Sequence, residues 1–247
     1  SIGARFGACQ NAYTSFAETV YELHVPTDKP ELLAQSLSVL QQFATDVVIT
    51  DEDVNEERKV VLEEWRQNRS AASRCAKSYF KDLLSGSQYE KRLPIGTRRI
   101  IETVPASVVR AFYQRWYHPE RMTIVAVGDF DATETVQLVR DTFGAVAITG
   151  RPGPLNPIPC PTHNDLRLSV LADPEAMTCE IGVNVKSPAT RRTTEAEFRE
   201  HIVNELFHAS LNVRLQKIAL HHPPPFVAAS SAISQPVPTV QTVSLQA

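Results

Sequence analysis

Five prolines and two glycines fall within twelve residues, 150–161, which read GRPGPLNPIPCP. No helix or sheet ladder accepts that density, because proline lacks a backbone donor and fixes φ. The segment therefore divides the 247-residue chain into a first domain, 1–149, a linker, 150–161, and a second domain, 162–247. Hydrophobic residues make up 43% and charged residues 21%, ordinary globular usage that sets aside collagen-like, coiled-coil and low-complexity readings. Twenty-five basic against 28 acidic residues leave a net charge of −3, which supplies no electrostatic footprint for nucleic acid. No apolar run approaches the roughly 18 residues of a membrane-spanning helix. The sequence opens at Ser1 with neither methionine nor a signal segment, and is expected to be cut from something longer or to have lost a leader.

Residues 11–25, NAYTSFAETVYELHV, alternate in β-rich fashion and predict one long strand or two consecutive ones. After Pro26, the pair Asp28 and Glu31 predicts a capping box for a helix with Leu33, Leu37, Leu40 and Ala44 on its inner stripe. Thr50 is placed to cap the next helix, with Asp51, Glu52 and Asp53 at its positive end. Further helices are expected over 71–84, ended by Gly86; through Val108, Phe112 and Trp116; and from Asp131 or Thr133 to Phe143. The run TIVAVGDF, 123–130, reads as a buried strand. Beyond the linker, LRLSVLAD, TCEIGVNVKSP, FVAASSAIS and TVQTVSLQA read as strands around a long helix over 195–220. So few strands make a poor free-standing domain, and the second domain is expected to be incomplete at its C-terminal end.

The helix containing EERKVVLEEW places Glu57 and Glu64 seven residues apart, hence about 20° apart on one face. Val60, Val61 and Trp65 predict that this helix is largely buried and that at least one glutamate needs a partner. His201, Glu205 and His208 share a helical face at i, i+4 and i+7, but match no zinc signature and read as a partly solvated polar face. His221 and His222 read as a solvated turn. Gly128-Asp129 lacks a following G-x-G-x-x-G, and no G-x-S-x-G elbow occurs. Cys9, Cys75, Cys160 and Cys179 form no C-x-x-C pair and are expected to be mostly buried thiols.

The strand NAYTSFAETVYELHV, the helix ERKVVLEEW, the turn LPIGT and the strand TIVAVGDF stand in the order seen in pitrilysin/insulinase (inverzincin) peptidases. Over about 1–145 the chain resembles that family, and its PqqL-like branch with plant relatives most of all. The resemblance implies an α+β fold whose domains each pack helices on one face of a mostly antiparallel sheet. It implies a zinc metalloendopeptidase in which an H-x-x-E-H helix and a later glutamate hold the metal. By that pattern Glu64 is the metal ligand, and Glu57 of the Glu57-Arg58 pair is the glutamate that orients a ligand histidine. Asn11, Ala12, Tyr13 and Thr14 match the strand on which a peptide or unfolded protein substrate pairs in extended form. The implied partner is a second half of the peptidase or a homologous subunit, in mitochondrion, plastid or periplasm.

H-x-x-E-H is absent from the sequence. Family spacing puts the histidines on the order of 75 residues before the glutamate ligand, ahead of Ser1. The general base is therefore expected upstream, with the motif lost by truncation. A family member that never carried the motif and serves as scaffold or partner subunit fits as well. On either reading the 247-residue chain alone neither cleaves a quenched unstructured peptide nor carries stoichiometric zinc; metal analysis and fluorescence release check both.

Overall fold

In a computed structural model the described residues are 10–146 and 152–247. In chain order the elements are β1 (Gln10–Thr14), β2 (Thr19–Leu23), α1 (Pro30–Thr45), α2 (Asp51–Gln67), α3 (Ala71–Leu83), α4 (Arg98–Thr103), α5 (Ala106–Trp116), α6 (Ala132–Phe143), β3 (Gly182–Pro188), α7 (Glu195–Ala219), β4 (Ser230–Val237) and β5 (Val240–Gln246). Helices with small antiparallel sheets make the class α+β. Two compact units emerge: Ser1–Arg66 with Pro94–Leu155, and Gln67–Leu93 with Asn156–Ala247. The residues after α2, including α3, thus group with the segment that follows the proline-rich stretch. No helix of the described residues is long and apolar enough to cross a membrane.

In the first unit β1 and β2 pair antiparallel, with Ala12 opposite Tyr21 and Thr14 opposite Thr19. Their connection is a tight turn in which Ser15 N–H donates to Glu18 C=O at 2.9 Å. The alternating run is therefore two strands. Tyr21 on β2 joins an aromatic cluster: its hydroxyl lies 2.6 Å from that of Tyr117, and its ring is 5.5 Å from Phe43 of α1. Tyr113 of α5 donates to the Phe43 carbonyl at 3.0 Å. Burial, then the Tyr117 contact, push the Tyr21 hydroxyl well above the usual phenol range. α1 packs on α6 and buries Leu37. The capping box at Asp28 does not form, because α1 begins one residue later than that pattern requires: Lys29 occupies the cap position, with no side-chain hydrogen bond, and Pro30 takes the first turn. Asp131 does cap α6, accepting from Glu134 N–H at 2.8 Å.

In the second unit the sheet order is β3-β5-β4, antiparallel throughout. Val185 and Ile233 both face Val243, and Val237 and Val240 are fully buried. α7 carries a full capping box between Thr194 and Glu197 and packs on β4. Asn212 of α7 accepts from Ser231 N–H at 2.7 Å and donates to its carbonyl at 2.9 Å. Beside α3, Lys186 of β3 donates to Leu83 C=O at 2.7 Å, and Tyr79 to Asn184 at 3.0 Å. Gly86 has φ +81°, and a Cβ there would meet Pro161 Cγ at 3.1 Å, so glycine is required twice over. Arg74 of α3 grips Asp173 with two hydrogen bonds of 2.6 and 2.7 Å.

Several expected strands and faces differ. TIVAVGDF joins no ladder among the described residues, and Val127 is 91% exposed. LRLSVLAD behaves alike, with Leu166 98% exposed, and the third run becomes β3 only from Gly182. Apolar β-branched runs are strands only when neighbours accept their backbone groups, and here none does. Val108, Phe112 and Trp116 do line up on α5, but on an exposed face. Among the described cysteines only Cys160 is buried; Cys75 is half-buried and Cys179 exposed, while Cys9 lies outside the described residues.

The Arg74 guanidinium holds the Asp173 carboxyl down at about 2, below its unfolded value of about 3.9. The pair's contribution to stability is therefore complete above that unfolded value and drains away as pH falls toward 2. Urea midpoints measured from pH 5 to pH 2 are expected to fall less steeply for Asp173→Asn than for the native chain.

Candidate functional site

α2 starts because Thr50 and Asp53 close a reciprocal cap. Asp53 N–H donates to Thr50 Oγ1 at 3.0 Å, and Asp53 Oδ2 accepts from Thr50 N–H at 2.9 Å and from its hydroxyl at 2.6 Å. Those Thr50 donors hold the Asp53 carboxyl below its ordinary value. Arg110 of α5 ties the same turn, donating to Ile49 C=O at 2.8 Å and to Asp51 at 3.2 Å. Three acids in the first turn then complement the helix dipole.

α2 presents Glu57 and Glu64 in line, seven residues and about 10.5 Å apart along the axis. That rise is too long for both carboxylates to reach one ion, so one is a candidate ligand and the other a neighbour. Both are exposed, and neither makes a hydrogen bond or ion pair among the described residues. The expectation of a largely buried α2 is corrected, since none of its residues is buried and Val60 is 60% exposed. The half-buried stripe is Val54, Arg58, Val61, Leu62 and Trp65. It covers one side only, because nothing among the described residues packs over Val60.

Arg58 is the residue whose role the sequence did not reveal. Its Nη1 donates to the Ile101 carbonyl and its Nη2 to the Val104 carbonyl at 2.7 Å, joining α2 to the end of α4. An E-R pair marks the position but not the partner.

Asn11, Ala12, Tyr13 and Thr14 all lie on β1. Tyr13 is exposed, and the Thr14 hydroxyl lies 3.2 Å from that of Thr19. β1 is one strand of the two-stranded order β1-β2.

Among the described residues no three His, Cys, Asp or Glu side chains gather as metal ligands. These residues therefore do not by themselves fit a zinc ion, and the donor set offers at most one carboxylate from α2. His201 lies 4.0 Å from Glu205 on α7. His208 does not share a solvated face with them: it is 7% exposed and sits 2.6 Å from Ser231 Oγ, because α7 turns it onto β4.

The fold defines a class, the M16-type peptidase domain. The first half of the periplasmic protease PqqL from Escherichia coli superposes with a TM-score of 0.85 at 28% identity, over 99% of this chain and 52% of that one. Residues 1–94 match the family model described as insulinase (peptidase family M16), and residues 103–221 the one described as peptidase M16 inactive domain. The chain is 42% identical over 233 residues to "Zinc protease PQQL-like" of Arabidopsis thaliana, covering 94% of this chain and 24% of that protein. It is 30% identical over 151 residues to the chloroplastic stromal processing peptidase of Pisum sativum, covering 60% of this chain and 12% of that one. The chain belongs to the insulinase/pitrilysin family of peptidases, on its PqqL-like branch. It spans about a quarter or less of the length of these curated relatives.

Because Glu57 and Glu64 make no hydrogen bond or ion pair among the described residues, Glu57→Gln and Glu64→Gln are each expected to change unfolding free energy by less than about 0.5 kcal/mol. Denaturant titration of the two variants checks this and separates their service from folding.

Proposed function

We propose that the chain is part of an insulinase-type zinc metalloendopeptidase that hydrolyses peptides bound in extended form. In that reading Glu64 supplies one metal ligand and Glu57 orients a ligand histidine. The histidines and the general base come from residues outside this set, so the chain alone is inactive. Asn11, Ala12, Tyr13 and Thr14 carry the substrate strand. The domains are 1–149 and 162–247, two related domains joined by 150–161. The observation that carries the reading is the exposed pair Glu57 and Glu64, free of local partners on α2, in a chain 42% identical to a protein named a zinc protease.

The substrate is a peptide or unfolded protein, and the partner a second half or a homologous subunit. Relatives named as periplasmic and as chloroplastic favour periplasm or plastid over the mitochondrion. The second reading, a scaffold or partner subunit without catalysis, is favoured by the absence of H-x-x-E-H from the sequence.

A form extended upstream of Ser1 in its gene separates the two. The peptidase reading expects the extended form to carry one zinc and to cut a quenched peptide, with Glu64→Gln abolishing both. An extended form that binds no zinc transfers the chain to the scaffold reading. Substrates N-methylated at alternate residues, which lose the amide donors that pair with β1, are expected to raise KM about tenfold or more, since each lost hydrogen bond costs roughly 0.5–1.5 kcal/mol.

A further inference from the structure

α4 ends at Thr103, with Val104 as its capping residue ahead of Pro105, and no basic side chain stands in its last turn. Its final carbonyls lack intrahelical donors. Arg58 supplies them from another helix: one arm of the guanidinium reaches Ile101 C=O and the other Val104 C=O. The pairing is charge-assisted, and it meets the negative end of α4. A planar fork spans two carbonyls in a fixed orientation, which a lysine ammonium does not.

The consequence lies on α2. At about 100° per residue, Val54, Val61, Leu62 and Trp65 fall within about 60° of Arg58, whereas Glu57 and Glu64 stand about 100° and 120° away on one flank. With none of its residues buried, α2 is weakly held by packing. Its first turn is tied by Arg110 to Asp51, and its middle by Arg58. A roll of about 10° would carry a carboxylate about 6 Å from the axis through about 1 Å, several times the ~0.2 Å tolerance of a metal–ligand distance.

We propose that Arg58 is a positioning residue: by gripping the C-terminal carbonyls of α4 it sets the roll of α2 and so the direction in which Glu57 and Glu64 point. The functional consequence rests on the reading of Glu64 given above; the geometric claim does not. The test places genetically encoded spin-label amino acids at positions 64 and 137, on α2 and α6, in the 247-residue chain. Pulsed electron–electron distances are then compared for Arg58, Arg58→Lys and Arg58→Met. A narrow distribution with Arg58 that shifts or broadens by about 1 Å or more in both variants, in protein that still unfolds cooperatively, is expected. Unchanged distributions, with only a lower unfolding midpoint, would show a merely structural residue and overturn the proposal, as would full restoration by lysine. The spin-label distances are taken without zinc, so their outcome stands or falls independently of the ligand reading of Glu64.

Discussion

A backbone amide or carbonyl removed from water must find a partner, and this requirement separates what the chain completes for itself from what it leaves open. A helix meets it within its own length, apart from its ends. Here five N-terminal ends are met locally as well: Thr50 with Asp53, Ser70 with Ser73, Thr97 with Ile100, Asp131 with Glu134, and Thr194 with Glu197. A strand meets it only through a neighbour. The runs 123–130 and 166–173 have strand composition but no ladder among the described residues. Their apolar side chains, Val127 and Leu166 among them, are accordingly exposed.

The same distinction explains what was legible in the sequence. α6 and α7 stand within a residue or two of their expected bounds, and α2 starts where Thr50 was expected to cap it, because such signals are local. The strand character of β1, β2, β4 and β5 was legible in alternation and composition; their pairing, which depends on the short connections between them, was not. TIVAVGDF was not, because an apolar run says that a strand is wanted and is silent on whether its neighbours are present. The α1 cap failed for a smaller reason: Pro30 starts the helix one residue after the Asp28 pattern needs it to.

The candidate site divides in the same way. That Glu57 and Glu64 share a face follows from a seven-residue interval alone. Where that face points does not, since the roll of α2 is set by contacts from Arg58 to carbonyls 43 and 46 residues away, and from Asp51 to Arg110, 59 residues away. Sequence spacing can fix the relative geometry of two side chains on one helix; only long-range contacts fix their absolute direction.

Acidity by itself does not single out this pair. Among the described residues Glu52 and Glu56 are also exposed without hydrogen-bond or ion-pair partners, and Glu63 pairs with Arg66 at 3.6 Å on the surface. Those three lie toward the far side of α2, about 120–160° from Arg58 in the direction opposite to Glu57 and Glu64. Glu57 and Glu64 instead stand between Val60 and Val61, at the margin where the half-buried stripe meets an exposed valine. Val60, at 60% exposure beside two carboxylates, is by itself an ordinary surface valine. An interface that covered it would have to bring a positive or metal partner as well, because burying the carboxylates beside Val60 without such a partner would cost more than the valine returns.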